Sequence, residues 1–457
     1  MAADEKSGTQ GFPEGVMGVT ALTSVVRNTA SGNAHFTRQV VAVAIRFLEE
    51  VDGTCLSPGM FAAVTDYADP AVPPEVSPRD AVATAVYTNS VPELRTDGSG
   101  RPGRYVIVEI DPNAQAARTL TIGVRCPLHR IPARVRIDGD VLGVDGRVLA
   151  PRSDAPLPMT EPARHLDTGR FVPLVLTNDD GNPVYVHYAL PVGYRADGAY
   201  PMVVHLTGQG QQYMDASNSV NFPVDDPYAP DNNFGANLVS DGIAAHFSNH
   251  SEPTVVVSVQ VRGDQDIPYA TKYVYPGFDG PRDIAMVIEH FLAEFAVDAD
   301  RVYAVGNSGG GMLLSTTIFR RPDLVAAYLL VNGPIVFGDN EAELDSYIRT
   351  YADSRIAVWM CRGRSDRGPD SAELPARMLR ESYRDQGLPE AETDSLVRCS
   401  IYEDEEFHRL GSRNYHGATT VLFSSHYEDV ARWLFAWRKY RRPTADAAAA
   451  RDLTAAS

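Results

Sequence analysis

The stretch Gly306-Asn307-Ser308-Gly309-Gly310-Gly311 constrains this chain more than any other. It follows Arg301-Val302-Tyr303-Ala304-Val305, a short apolar run that reads as a buried strand. It precedes Met312-Leu313-Leu314, which opens a helix. A serine between flanking glycines at such a junction sits on a tight strand-to-helix turn, where a Cβ would clash with nearby backbone. The turn presents the Ser308 hydroxyl beyond the strand end. It also puts the Gly309 N–H at a helix N-terminus, where an oxyanion can be held. Upstream, apolar residues at 284, 287, 288, 291, 292 and 295 repeat at helical spacing. Helix, strand, sharp turn and helix is the context that separates a nucleophile turn from a glycine-rich loop that happens to contain serine.

The rest of the chain divides by pattern. Residues 16–150 read as strand after strand, at 19–26, 39–47, 61–65, 81–88, 104–110, 120–124 and 134–137. Gly, Pro, Asn and Asp punctuate them, which predicts an antiparallel β-sandwich of immunoglobulin-like type without catalytic residues. Its role is structural, oligomeric or substrate-presenting, and His35 and His129 read as ordinary histidines. Residues 151–179 hold Pro151, Pro156, Pro158 and Pro162 without periodicity and read as a linker. From 180 to 442 strands and helices alternate, which predicts a mostly parallel sheet covered by helices. Its strands are expected at 184–190, 200–206, 254–260, 301–305 and 356–361, with an apolar run at 324–331. Helices are expected at 283–295, near 341–352 and 372–387, and at 427–441 with Trp437 on the apolar face. The Ala-rich 443–457 reads as a disordered tail.

The 457 residues suffice for two or three domains. A net charge of −18 argues against nucleic acid and anionic membranes as partners. No apolar run is long enough to span a bilayer. The polar start lacks an apolar signal core, so the chain as given reads as cytoplasmic; a secreted protein whose signal has been removed gives the same start. Cys55, Cys126, Cys361 and Cys399 form no Cys-x-x-Cys pair, which argues against zinc. A Cys55–Cys126 bridge is one pairing open to the N-terminal region.

A serine nucleophile needs a base, and the base needs an orienting group. On strand-turn-helix scaffolds of this kind the chain order is Ser, Asp or Glu, then His. Asp366 follows the strand 356–361 in the loop Arg362-Gly363-Arg364-Ser365-Asp366, at the carboxyl end of a sheet strand. Asp370 and Glu373 are the alternatives. Arg364 and Arg367 flank Asp366 and would lower its pKa if they face it. His416, in Asn414-Tyr415-His416-Gly417, comes after the acid and before the last helix. His426 reads as a helix cap and His408 as part of a solvated acidic loop. The second oxyanion donor belongs to the loop after 202–206, where Gly208 and Gly210 free the backbone. Gln209 leads as donor, with Gly208 next. Gln211, Asn307 and Tyr213 are candidate substrate contacts. The long stretch 213–253 and the tyrosines of 264–278 are candidate pocket walls.

These residues resemble a known group. Tyr188–Tyr194, Tyr200–Val204, Thr207-Gly208-Gln209-Gly210-Gln211, Val305–Gly310, Gly363–Asp366, His416 and Trp433-Leu434 are similar to α/β-hydrolase esterases of the predicted-peptidase and polyhydroxybutyrate-depolymerase-like kind. Some of these carry an immunoglobulin-like domain first, as 16–150 suggests here. The resemblance implies an α/β-hydrolase fold, serine hydrolysis of carboxylic esters, and Ser308, Asp366 and His416 as the triad. Thr207 departs from the group, which usually has histidine there. No metal or organic cofactor is called for, and the expected partner is a small or polymeric ester, with self-association through the β-domain as a further option. A serine peptidase or amidase uses the same triad, and a polyester depolymerase would bind polymer on the β-domain. A scaffold with a vestigial hydrolase domain is the non-enzyme reading, and the intact serine, acid and histidine argue against it.

Overall fold

The computed structural model describes residues 12–28, 35–65, 80–95, 101–114, 120–121, 129–130, 134–167, 169–208, 242–260, 274–275, 278–336, 340–366 and 370–440. The chain divides into two compact units, the first centred on residues 1–173.

The first unit is built on one eight-stranded sheet. Its strands are β1 (Val16–Asn28), β2 (His35–Phe47), β3 (Phe61–Val64), β4 (Ala81–Asn89), β5 (Tyr105–Ile110), β6 (Arg134–Ile137), β7 (Ser153–Pro158) and β8 (Glu161–His165). They lie in the order β7-β6-β3-β4-β5-β2-β1-β8. β4 turns the corner. Its first residues pair with β3 at Ala62↔Val82 and Ala63↔Ala81, and from Ala83 it pairs with β5, with an irregularity between Ala83 and Ala85. A strand that changes partners at such a bulge folds one half of a sheet over the other. Phe61, Val135 and Ile137 from one half thus share a core with Val19, Val43 and Val108 from the other. Alternation along β5 serves both faces: Val106, Val108 and Ile110 enter that core, while Ile107 packs with Leu22, Ala42, Ala44 and Tyr87.

Residues 151–179 are not a linker. They form β7 and β8, then β9 (Val172–Thr177) of the second unit. Proline lacks the N–H of a ladder, which is why such a stretch has the composition of a linker. β7 and β8 are the two edges of the sheet, and there an absent N–H is tolerated. β8 also breaks the expected antiparallel pattern. It runs parallel to β1, and its Glu161 accepts from Thr20 and pairs with Arg46 at 2.6 Å. Cys55 is a free thiol donating to Asp52 at 3.2 Å, so it forms no bridge. Cys126 lies outside the described residues.

The second unit is a mixed eight-stranded sheet: β9, β10 (Pro183–Ala189), β11 (Tyr200–Leu206), β12 (Val255–Gln260), β13 (Val297–Asn307), β14 (Ala327–Val331), β15 (Ala357–Gly363) and β16 (Val397–Tyr402). The order is β9-β10-β12-β11-β13-β14-β15-β16. β10 is antiparallel to β12, and from β12 to β16 the pairing is parallel. β11, β14 and β15 are almost wholly buried, as strands covered on both faces must be. The described helices are α1 (Ile243–Ser248), α2 (Gly280–Glu294), α3 (Gly309–Arg320), α4 (Glu341–Asp353), α5 (Asp370–Asp385), α6 (Glu390–Leu396), α7 (Asp404–Arg409), α8 (Ala418–Ser425) and α9 (Tyr427–Phe435). The strand order reverses at β11, with β12 on one side and β13 on the other. The carboxyl ends of β11 and β13 therefore border the crevice where ligands of open α/β sheets bind.

Three local readings change. The run 324–331 is a strand only from Ala327, after a short 3-10 turn at Pro322–Leu324. The last helix stops at Phe435, because Lys439 N donates to Asp300 O at 2.9 Å and Tyr303 Oη donates to Trp437 O at 2.9 Å, drawing the chain along β13. His408 sits on α7 rather than in a loop, anchored by fully buried Phe407. The 443–457 tail lies outside the described residues.

α3 lies close enough to β11 that a Cβ on Gly310 would stand 2.2 Å from Thr207 O and 2.6 Å from Leu206 O. Both obstacles are backbone and cannot rotate away. Gly310→Ala is expected to destabilise the protein by about 1–3 kcal/mol, as overpacking does, read as a lower urea midpoint with unchanged slope.

Candidate active site

Ser308 joins the end of β13 to α3 with φ 50° and ψ −121°. A non-glycine residue pays strain for that backbone, and such strain is held only where the surroundings over-determine it. Here Ser308 N donates to Val331 O at 2.7 Å and Met312 N donates to Ser308 O at 3.1 Å. The flanks leave no alternative: a Cβ on Gly306 would lie 2.6 Å from Gly311 Cα. The hydroxyl is thus aimed before any partner arrives.

His416 Nε2 lies 2.8 Å from Ser308 Oγ, and its Nδ1 lies 2.9 Å from Asp366 Oδ2. The three residues come from the ends of β13 and β15 and from the loop before α8. The approach of that last loop depends on Gly363, where a Cβ would meet Tyr415 O at 2.5 Å. Asp366 is buried, and the His416 side chain is 36% exposed, so the open side of the arrangement is at the imidazole and serine. The sequence reading placed His416 ahead of the last helix; it precedes α8, and α9 follows.

Among the described residues the cation beside Asp366 is Arg362, not Arg364. Arg364 is turned outward onto Glu403, its Nε 2.8 Å from both carboxylate oxygens, and Arg367 lies outside the described residues. Arg362 takes the place. Its guanidinium is 2% exposed and donates from Nη2 to Asp366 Oδ2 at 3.1 Å. Burial pushes the Asp366 carboxyl up, but the hydrogen bond and charge of His416 and the charge of Arg362 outweigh it and hold the carboxyl below its ordinary value. The signal was available: an arginine within the otherwise apolar run 356–361 and its end.

The alternatives fall away by position. His426 is stacked on Tyr402 with ring centroids 5.7 Å apart, beside Glu406. Asp370 and Glu373 belong to the first turns of α5. Gly309 is the first residue of α3 and is buried, as is Gly208. Leu206 of β11 pairs in register with Gly306 of β13, and Gly208 and Ser308 each follow two residues later. Asn307, expected as a substrate contact, uses its Oδ1 to accept from Asn332 Nδ2 at 3.0 Å. Gln209, Gln211, Tyr213 and most of both candidate pocket walls lie outside the described residues. Among the described residues no cluster of three His, Cys, Asp or Glu could hold a metal ion, and no helix is long and apolar enough to cross a membrane.

Asp366→Asn would leave Arg362 as a buried charge without its anion, which costs about 3–5 kcal/mol. Because the folded carboxyl has the lower pKa, its contribution is full above the unfolded value of about 3.9 and is lost as pH falls through the folded value. The stability gap between parent and variant is therefore expected to be widest at neutral pH and to narrow towards pH 3, as read by urea unfolding across that range.

Residues 25–150 match the esterase Ig-like N-terminal domain, and residues 254–343 match the prolyl oligopeptidase family. No curated protein matches the chain. A solved structure of a thermostable esterase is similar over 93% of this chain and 100% of its own, at 21% identity and a TM-score of 0.72. A feruloyl esterase module from Clostridium thermocellum (13% identity, 59% of this chain, 89% of its own) and a dienelactone hydrolase from Klebsiella pneumoniae (13%, 58% and 98%) have TM-scores of 0.37 and 0.35, too low to bear on the fold. The chain thus places a region that matches the esterase Ig-like N-terminal domain ahead of a region with the α/β-hydrolase fold.

Proposed function

We propose that this protein hydrolyses carboxylic esters through an acyl-enzyme on Ser308. The observation that carries the reading is the continuous line from Ser308 Oγ through His416 to buried Asp366, at 2.8 and 2.9 Å. His416 takes the serine proton as Oγ attacks the ester carbonyl. The Gly309 N–H, with that of Gln209 or Gly208, stabilises the oxyanion. His416 then protonates the leaving alcohol, and a water molecule repeats the steps on the acyl-enzyme. Asp366 holds the imidazole with Nδ1 protonated. Arg362 keeps that carboxylate charged. The substrate is a small or polymeric ester.

A second reading is amide hydrolysis, favoured by the match of 254–343 to the prolyl oligopeptidase family. Matched p-nitrophenyl ester and p-nitroanilide substrates separate the two. The parent is expected to turn over the esters, from acetate to decanoate, and to leave the anilides nearly untouched. Ser308→Ala is expected to lower kcat by about 10⁴-fold or more, as loss of a triad nucleophile does. Equal low activity in parent and variant would remove Ser308 from the mechanism.

A further inference from the structure

Asn332, the residue after β14, is 2% exposed and adopts φ 57°, a left-handed backbone that asparagine tolerates better than most residues. Three bonds leave it. Its N–H donates to Cys361 O at 2.8 Å, on the strand whose end carries Asp366. Its Nδ2 donates to Asn307 Oδ1 at 3.0 Å, one residue before Ser308. Its Oδ1 accepts from Ala418 N at 3.3 Å, two residues after His416. The next residue, Gly333, runs beneath the nucleophile, where a Cβ would lie 2.9 Å from Ser308 O.

Ser308 and His416 are 108 positions apart in sequence and sit on separate loops. A hydrogen bond between them survives thermal motion only if those loops are tied at a fixed spacing. Asn332 ties one end of its amide to each loop and its backbone to the strand of the third residue. From this geometry we infer that Asn332 is a positioning residue that sets the spacing between Ser308 and His416. The inference rests on the serine-hydrolase reading. These bonds of Asn332 run to Cys361, Asn307 and Ala418 rather than to the Ser308 or His416 side chain, so it acts through the placement of their neighbours. A misplacement of about 1 Å can cost on the order of 10²-fold in rate.

The test is the rate at which diisopropyl fluorophosphate phosphorylates Ser308, followed by mass, beside kcat and KM on p-nitrophenyl acetate and thermal unfolding. Asn332→Gly keeps the left-handed backbone without strain and removes both amide bonds. It is expected to label about 10- to 100-fold more slowly, with kcat reduced by a similar factor and KM held. Asn332→Asp keeps the acceptor for Ala418 N, and the Asn307 amide can turn over to donate to it, so most of the rate is expected back. Asn307→Ala cuts one bond from the other side and decides the matter if Asn332→Gly does not fold; it is expected to slow labelling with KM held. Labelling at the parental rate in folded Asn332→Gly or Asn307→Ala would overturn the inference. So would a loss that tracks thermal stability and is not recovered in Asn332→Asp. A parent that does not label at all would instead overturn the serine-hydrolase reading.

Discussion

The backbone of Ser308 is the constraint on which the second unit depends. A left-handed φ at a serine holds only if the strand before, the helix after and the strand beside it leave no other path. β13 supplies the first, α3 the second, and the Val331 carbonyl, accepting from Ser308 N, the third. Gly306 and Gly310 are demanded by contact distances to backbone, not by a need for flexibility. The close approach of α3 to β11 at Gly310 and the pairing of Leu206 with Gly306 belong to the same packing that strains the turn.

The charge arrangement follows a different logic. Asp366 Oδ2 accepts from His416 and from Arg362 at once. A buried carboxylate alone would take up a proton; with a permanent guanidinium beside it, it stays charged. Arg362 in turn would be costly without Asp366. Its Nε and Nη1 have no partner among the described residues, so the carboxylate is its main compensation. The pair is maintained by mutual need, and the histidine benefits from a partner whose charge does not depend on substrate.

Periodicity and motif made much of this legible in the sequence. The Ser308 turn follows from glycine spacing and an apolar strand, and Asp366 and His416 follow from chain order. What escaped was tertiary. Arg362 has no motif to mark it beside the acid, whereas burial at the end of a sheet strand turns it inward and Arg364 turns outward onto Glu403. Asn332 carries no motif, since its importance arises from three segments distant in sequence. The short strand β16 and helices α6 and α8 lack the length that makes a periodic pattern visible. Prolines at 156, 158 and 162 concealed two strands, because composition alone does not distinguish a linker from a sheet edge.

Those prolines have one more effect. They stand on both outermost strands of the first sheet, where an unpaired ladder would otherwise offer donors to any extended chain in solution. A proline has no N–H to donate from either side of a strand and stiffens the strand that carries it. The two borders of the sheet are thereby made poor templates for a neighbouring copy or an unfolded segment to zip onto. A protein that keeps a broad β-sheet in front of its hydrolase domain has, in these few residues, a built-in resistance to growing that sheet from chain to chain.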